Sequence, residues 1–450
     1  MKQICGILML LCACSTPPGG GATGTSTDTG KDPAKADSAA SADADAGAVA
    51  DTPSNDDAIG QDAANLLDAP DLSADDAEAP PEDVVQTDWQ GLDDLGSSDD
   101  ASGDCTPGSL EGIACAPKVG VSVSFAVIAF DQDAGCSGAA PVHIEVTADA
   151  KGHYFFAKLP PGPAILTMTK GSFKTSSPIA VLPGKKLDFT AQNDPKRCFS
   201  ATAGKIAVIQ GDADDLGKLL DGLGLKYDSF DSGTTKDATS SAAAKLMKDL
   251  SALQKYDVLL INCSSTAETL VKGIPAITAN LQAFVQAGHS LYASDWAWSY
   301  VETAFPDAID FYGADASYAK STAGPSATAG PRQGPGPTFA QKTAGTPPFT
   351  TQGDLLDAGL AAVLAKKSTT VYQDLGTWAV IQAPGKGTTA IMEGKVASAL
   401  GDWGTVPLVV SFPVGKGHVV YTSFHNIAQA DAGGSVADIQ AILNYLVFTL

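Results

Sequence analysis

Alternating apolar and polar residues mark the middle of the chain as a set of short β-strands. In Val142–Thr147 the apolar residues occupy every second position, which is the pattern of a strand with one buried face. Turns rich in Asp, Gly and Pro, at 149–152 and 160–162, separate this run from its neighbours. Further runs of this kind cover residues 119–130, 153–159 and 164–169. We therefore predict a small antiparallel β-sandwich over residues 105–202.

The pattern changes at about residue 203, where apolar runs of strand length begin to alternate with helical patterns. The runs cover residues 205–210, 256–263 and 289–294, and the helical patterns cover 216–223, 241–254, 267–286 and 296–305. This alternation predicts an α/β doubly wound, flavodoxin-like domain with a mostly parallel sheet over residues 203–450. The remaining elements are a helix at 354–366, β-rich runs at 378–382, 388–393, 406–412 and 418–425, and a terminal helix at 436–450.

Residues 14–104 show neither the two-residue period of a strand nor the period of a helix. They consist mainly of Ala, Asp, Ser, Gly, Thr and Pro, and their 22 acidic residues against two lysines account for most of the net charge of −23. Such a segment cannot bury enough apolar surface to offset the entropy of ordering it, so we predict a disordered acidic linker. The rest of the chain is nearly neutral and has no basic patch, which argues against a nucleic-acid partner.

The first residues have the composition of an export signal. Lys2 supplies the positive start, and residues 7–11 supply an apolar stretch too short to span a membrane as a mature helix. The sequence Leu11-Cys12-Ala13-Cys14 resembles the bacterial lipobox, whose last cysteine receives a lipid. The resemblance implies removal of residues 1–13, a membrane partner through lipid on Cys14, and a cell-envelope location, with the outer membrane favoured. An ordinary secretory signal is the alternative.

Cysteine usage fits an exported protein. An even set of four cysteines falls in and beside the predicted sandwich, which predicts two disulfides. These cysteines are Cys105, Cys115, Cys136 and Cys198. Three pairings are possible, and the sequence does not choose among them. Cys263 is left over.

The sandwich region has a characteristic order of turns and strands. Residues 148–169 combine an Asp/Gly turn, a Gly-x-Tyr-x-Phe strand at 152–156, a Leu-Pro-Pro-Gly break and another strand. This order is similar to the carboxypeptidase regulatory-like domain, whose members are seven-stranded, transthyretin-like sandwiches. The resemblance implies a spacer or binding module, with carbohydrate binding as the alternative to a spacer role.

Three segments of the α/β region also occur in a recognisable order. They are the strand at 256–262, the segment 284–291 that leads into the next strand, and the turn at 415–417 before Ser423-Phe424-His425. Together they are similar to the class I glutamine amidotransferase-like superfamily, in particular to its trehalose-utilisation-protein-like branch. The resemblance implies a fold rather than an activity.

The residues that glutaminase chemistry requires are incomplete. Enzymes of the superfamily place a nucleophilic cysteine in a tight Gly-x-Cys-x-Gly elbow and activate it with the histidine of a His-x-Glu pair. Residues 292–297 contain neither that cysteine nor the glycines, and Ile427 stands where the glutamate would be. Only His425 matches. We therefore expect a non-catalytic, degenerate amidotransferase-like domain.

Open parallel sheets bind ligands at the carboxyl ends of their strands. The residues we expect around a ligand there are Asp212, Asn262, Asp295, Trp296 and His425. The ligand is not identified, and a carbohydrate or an envelope protein is the partner class we consider. We expect no cofactor and no metal, because aspartates before a helix more often act as caps.

Two other functions compete with this interpretation. The first is an envelope hydrolase of small amide or sugar-derived substrates, in which Cys263 or Ser294 acts as nucleophile with His425. The second is a carbohydrate-binding surface adhesin that uses the sandwich. A nucleophile beside the His425 ring would favour the hydrolase, whereas adhesion requires an exposed row of aromatic side chains.

Overall fold

A computed structural model describes residues 104–133, 136–138, 140–192, 197–311, 349–373, 379–398, 401–425 and 436–450. The signal peptide, Cys14 and the acidic linker up to residue 103, all predicted from the sequence, lie outside these residues. The described residues belong to one compact unit. None of the helices described in this unit is long and apolar enough to cross a membrane.

Seven strands in two sheets form the sandwich. They are β1 (Gly108–Ile113), β2 (Val127–Gln132), β3 (Val142–Thr147), β4 (His153–Leu159), β5 (Gly162–Lys170), β6 (Phe173–Val181) and β7 (Lys186–Phe189). The strand orders are β4-β1-β7 and β3-β2-β5-β6. Burial along β5 alternates from residue to residue, so one face of this strand packs into the core. The strand β1 pairs with β7 in parallel, which departs from the purely antiparallel sandwich that we predicted.

Two disulfides connect the four cysteines of the sandwich region, which confirms the predicted number. Cys105 bonds to Cys136, and Cys115 bonds to Cys198. The second disulfide spans 83 residues and fixes the end of the sandwich segment, just before the first strand of the α/β part, to the residues after β1. Cys263 is a buried free cysteine of the α/β part.

The remaining strands and the helices form a mixed α/β region, as the alternating pattern predicted. The strands are β8 (Ile206–Ile209), β9 (Tyr227–Phe230), β10 (Val258–Ile261), β11 (Ser290–Ser294), β12 (Ile309–Phe311), β13 (Phe349–Leu355), β14 (Ser368–Gln373), β15 (Ile381–Pro384), β16 (Thr389–Ser398), β17 (Gly401–Val414) and β18 (Gly417–Thr422). The helices are α1 (Leu216–Leu223), α2 (Ala242–Met247), α3 (Leu250–Leu253), α4 (Ala267–Gly273), α5 (Ala276–Ala287), α6 (Trp298–Ala304), α7 (Ala358–Leu364) and α8 (Val436–Thr449). Nine strands share one sheet in the order β14-β13-β16-β17-β18-β11-β10-β8-β9, and β12 pairs with β15 in a separate ribbon.

One half of the large sheet is parallel and doubly wound. The strands β9, β8, β10, β11 and β18 lie side by side and pair in parallel. Numbered along the chain from β8, their order is 2-1-3-4-5, which is that of flavodoxin-like sheets. The strands β8 and β10 are buried along their whole length, as expected for strands that are covered on both faces.

The other half of the sheet is antiparallel, which the sequence did not predict. The strands β18, β17, β16, β13 and β14 follow one another as antiparallel neighbours. The sheet is therefore evenly mixed rather than mostly parallel. The helix predicted to begin at residue 354 begins at Ala358, because Phe349–Leu355 pairs as a strand and Asp357 caps the helix by accepting the Leu360 N–H.

Two predicted helices are divided in the structure. The segment 241–254 forms α2 and α3, because the Asp249 side chain accepts two backbone N–H groups of the second helix and so caps a new start. The segment 267–286 forms α4 and α5 on either side of Pro275. Proline has no backbone N–H and clashes with the preceding helical turn, so one helix ends there and another begins.

The sandwich and the α/β part share one hydrophobic core. Phe448 of α8 packs against Phe173 and Phe199, with ring centroids 5.0 and 5.5 Å apart. The backbone N–H of Ser172 donates to the Leu450 oxygen at 2.5 Å. The sandwich therefore packs directly against the α/β part and is not an isolated domain.

Candidate functional site

Three neighbouring parallel strands, β10, β11 and β18, end side by side at one edge of the sheet. Because the carboxyl ends of parallel strands meet at the same edge, the residues that follow these strands come together there. Among these residues are Cys263 after β10, Asp295 after β11 and His425 after β18. All three are buried, with relative exposures of 1%, 1% and 2%.

A thiol, a carboxylate and an imidazole form the centre of this site. The Oδ2 atom of Asp295 lies 2.9 Å from Nε2 of His425 and accepts the Cys263 thiol at 3.6 Å. The sulfur, the nitrogen and the oxygen all lie within 4.8 Å of one another. The structure thus brings together three residues that the sequence had marked as candidates, and we call them the Cys-Asp-His cluster.

Asp295 stands on the sharp turn between β11 and the helical turn that follows it. Its φ of +38° lies in the left-handed region, which residues other than glycine rarely adopt. The Tyr421 hydroxyl donates to its main-chain oxygen at 2.8 Å, and the Ala379 N–H donates to Oδ1 at 3.0 Å. A strained residue that its surroundings hold in place is typical of functional positions. Asp295 lies within residues 292–297, the segment that the sequence analysis compared with a nucleophile elbow.

The thiol of Cys263 stays protonated in this environment. Burial, and then the charge of Asp295, raise the pKa of the thiol to about 12, although interactions with His425 and with the Trp296 backbone lower it. The thiolate is the nucleophilic form of cysteine, so these surroundings suppress attack by the sulfur.

Ser294 lies next to the cluster but makes other contacts. Its Oγ donates to Oδ2 of Asp214 at 2.9 Å and accepts the backbone N–H of Cys263 at 3.0 Å. Both Ser294 and Asp214 are buried. These bonds connect the loops after β8, β10 and β11, and the hydroxyl is directed to Asp214 rather than to His425.

Asn262 and Asp212 hold the loops around the site in place. The Asn262 side chain accepts the Leu216 N–H at 2.7 Å and donates to the Ile209 oxygen at 2.9 Å. It thereby satisfies a free backbone donor in the first turn of α1. Asp212 accepts the N–H and the hydroxyl of Ser265, at 2.9 and 2.5 Å. Both side chains use polar atoms to fix loops, and both also line the neighbouring cleft.

A cleft of about 390 Å³ opens at the carboxyl ends of β8, β9 and β10. The strand order reverses between β8 and β10, which is where doubly wound sheets bind ligands. The polar and acidic residues of its lining include Gln210, Asp212, Asp214, Asp215, Asp231 and Ser232. Such a lining repels phosphate and other anions and accepts hydrogen bonds from hydroxyl or amino groups.

Trp296 and Trp298 follow the elbow and differ in role. Trp296 is half-buried, and its backbone lowers the pKa of the neighbouring Cys263 thiol. Trp298 belongs to the core and packs against Phe311 with ring centroids 6.0 Å apart. Neither arrangement forms an exposed aromatic row.

Three groups that position the site were not among the residues predicted from the sequence. They are the hydroxyl of Tyr421, the backbone N–H of Ala379 and the carboxylate of Asp214. Tyr421 follows the apolar pattern of a buried strand, and Ala379 is 84 residues away from the carboxylate that it contacts. No local signal in the sequence marks either residue. The sequence does show the aspartates before α1 and predicts that they act as helix caps. Asp215 fills that role.

The sequence matches no described protein family and no curated protein. Solved structures of related shape include a Bacteroides uniformis protein described as ThuA-like and a Thermoplasma acidophilum protein described as part of a GMP synthase, each at 10% identity and a TM-score of 0.32. Both alignments cover 54% of this chain, and they cover 90% and 93% of those two chains. A β-galactosidase from Bacillus circulans sp. alkalophilus is similar over 54% of this chain and 30% of its own, at 11% identity and a TM-score of 0.28. A likeness of this size does not specify an activity.

Proposed function

We propose that this chain is a lipid-anchored cell-envelope protein whose α/β part binds a small ligand and does not catalyse amide transfer. The observation that supports the non-catalytic part is the turn after β11, where a carboxylate, that of Asp295, stands among the buried side chains and no cysteine does. The Ala379 N–H holds one oxygen of that carboxylate, and the other faces His425 and Cys263. The remaining thiol is buried and protonated at neutral pH.

The cleft at the ends of β8, β9 and β10 supports ligand binding. Its volume of about 390 Å³ falls in the range of small-molecule sites. Carboxylate, amide and hydroxyl groups in the lining suit a neutral ligand with several hydroxyl groups. We therefore propose a mono- or disaccharide, rather than a nucleotide or a sugar phosphate, as the ligand class.

Glutaminase assay and active-site labelling test the non-catalytic part. We expect the folded full chain to hydrolyse no glutamine and to resist a thiol-alkylating probe and a fluorophosphonate at neutral pH. In guanidinium chloride the same thiol probe should label Cys263, which serves as the positive control. Turnover or labelling that Cys263→Ala or Ser294→Ala removes from the folded chain would overturn the proposal.

Calorimetric titration tests the ligand class. We expect neutral mono- or disaccharides to bind, and their phosphorylated forms to bind at least about tenfold more weakly because of the acidic lining. Gln210→Ala removes an exposed amide from the cleft and should weaken binding, whereas Gln254→Ala removes an exposed amide at the end of α3 and should not. Equal binding by these two variants would contradict the assignment of the cleft.

The anchor is tested separately. Metabolic labelling with an alkyne fatty acid should tag the wild-type chain and not Cys14→Ser, and only the wild type should partition into detergent. If Cys14→Ser remains tagged and membrane-bound, the lipid is not on this cysteine.

A hydrolase remains the second candidate function because the side chains of Cys263 and His425 lie close together. Their contact with Asp295 gathers the groups of a thiol hydrolase in one place. A substrate-derived electrophile that labels Cys263 in the folded chain, with labelling lost in His425→Gln, would favour this function over ligand binding alone.

A further inference from the structure

The geometry points to a zinc-binding centre formed by Cys263, Asp295 and His425. Such a centre does not depend on the ligand proposed for the cleft. It departs from our expectation that the chain holds no metal, which rested on the aspartates before α1.

The spacing of the three ligand atoms fits a small tetrahedral ion. Zinc binds cysteine sulfur at about 2.3 Å and histidine nitrogen or carboxylate oxygen at about 2.0–2.2 Å, so neighbouring ligand atoms lie about 3.3–3.6 Å apart. The Sγ of Cys263 lies 3.6 Å from Oδ2 of Asp295. The Nε2 of His425 lies 2.9 Å from the same oxygen, and all three ligand atoms lie within 4.8 Å of one another, so the imidazole has to move away from the carboxylate and towards the sulfur to complete the site.

The carboxylate is held so that one of its oxygens faces the other two ligands. The Ala379 N–H donates to Oδ1 at 3.0 Å, which leaves Oδ2 directed at the sulfur and the imidazole. The Tyr421 hydroxyl fixes the main-chain oxygen of the same residue, and thereby the turn. Hydrogen bonds that orient metal ligands in this way are a regular part of zinc sites. The strained φ of Asp295 fits this role, because it directs the carboxylate towards Cys263 and His425.

The sheet holds the three ligands in place. The three ligands follow three adjacent strands of a rigid sheet, β10, β11 and β18, so the protein loses little freedom on binding the ion.

The ligand types select the metal. A thiolate and an imidazole favour zinc over magnesium and calcium, which take oxygen ligands. Among the described residues, three side chains meet the spacing. Three protein ligands leave a fourth coordination position for water or for a donor atom of a bound molecule. Binding would release the thiol proton of Cys263.

Cobalt titration and metal analysis test this inference on the full chain, purified without chelator. We expect about one zinc per chain, and, after its removal, a cobalt complex with a thiolate-to-cobalt charge-transfer band and the strong visible bands of tetrahedral geometry. Cys263→Ser and His425→Gln should each lower metal affinity by more than about tenfold. A loss of about tenfold is the smallest expected when a residue that only orients a ligand is removed. His418→Gln removes an imidazole from β18 outside the cluster and should bind like the wild type.

Thermal unfolding gives a second measurement. Because zinc binds the folded state, adding it should raise the Tm of the wild type and of His418→Gln, but not of Cys263→Ser. A folded wild-type chain that shows no thiolate-to-cobalt band overturns the inference, and this result needs no variant. Zinc retained in full by both Cys263→Ser and His425→Gln also overturns it, because the metal would then be held elsewhere.

Discussion

At the scale of single residues, Asn262 links the site to the fold. It lies between the apolar strand β10 and the buried Cys263, and both ends of its amide are used. One end caps α1 at Leu216, and the other satisfies the Ile209 carbonyl. The Asn262 amide therefore has a structural role, although the sequence analysis placed this residue among those expected to bind a ligand.

Asn262→Ala should lower the free energy of unfolding. The change leaves the Leu216 N–H without this partner in a buried setting, which costs about 1–3 kcal/mol, whereas the Ile209 oxygen keeps its hydrogen bond from the backbone N–H of residue 262. Urea unfolding followed by circular dichroism measures the loss.

The matched control is Asn444→Ala, which removes an exposed hydrogen bond to Gln440 and should change the stability by no more than about 0.5 kcal/mol. Similar losses in the two variants would mean that the Asn262 amide does not have the role described.

At the scale of elements, the edge strand β9 depends on a tyrosine outside it. Tyr256 donates its hydroxyl to Asp228 at 2.8 Å, and its ring meets Phe230 edge-on at 5.9 Å. The strand is short and largely exposed, so its own residues have no clear period, and the hydrophobic pattern did not predict it. Its place in the sheet follows from these contacts and from pairing with β8.

Tyr256 also makes the stability depend on pH. Burial, and then the bond to Asp228, raise the pKa of the phenol to about 12, whereas an unfolded tyrosine ionises near pH 10. Between about pH 10 and pH 12 the unfolded chain therefore releases a proton that the folded chain keeps, so stability falls as the pH rises through this window.

Tyr256→Phe should reduce that fall. Urea midpoints at pH 8 and at pH 11 measure it: the variant loses the bond to Asp228 at both pH values, but should lose less stability than the wild type between them. Parallel declines in the two proteins would show that Tyr256 does not keep its proton in the folded state.

At the scale of the whole molecule, the contact between the sandwich and α8 leaves room for no side chain at Gly171. The backbone there has a φ of +55°, and a Cβ atom would overlap the main-chain oxygens of Leu450 and Phe448. Glycine is therefore required for two reasons, conformation and close approach.

Gly171→Ala should destabilise the fold by more than the roughly 1–3 kcal/mol that a strained backbone alone costs. Gly387→Ala separates the two causes, because Gly387 has a φ of +80° and open space around it. We expect the thermal midpoint to fall further for Gly171→Ala than for this control. Equal falls in the thermal midpoint would indicate that the contact between the sandwich and α8 adjusts to accommodate the added methyl group.

The two disulfides differ in the loops that they close. Removing Cys115–Cys198, which spans 83 residues, should cost about 1 kcal/mol more than removing Cys105–Cys136, which spans 31. Paired Cys→Ala variants compared by urea unfolding give this difference. A larger loss from the shorter loop would mean that local packing outweighs chain entropy.

The sequence by itself determined those features that depend on local pattern. The period-two run at 142–147 and the buried runs at 206–209 and 258–261 predicted strands that the structure contains, and an even number of cysteines predicted two disulfides. Strand ends after residues 261 and 294 also indicated where site residues would gather. These inferences hold because burial and alternation act on neighbouring residues.

Only the tertiary structure decided what depends on distant residues. The antiparallel half of the sheet arises from pairings between segments whose local patterns suit several neighbours, and the joint core arises from α8 meeting the sandwich. The Cys-Asp-His cluster also depends on distant residues, because Cys263, Asp295 and His425 follow three different strands. Its carboxylate is aimed by Ala379 and Tyr421, which no spacing in the sequence relates to it.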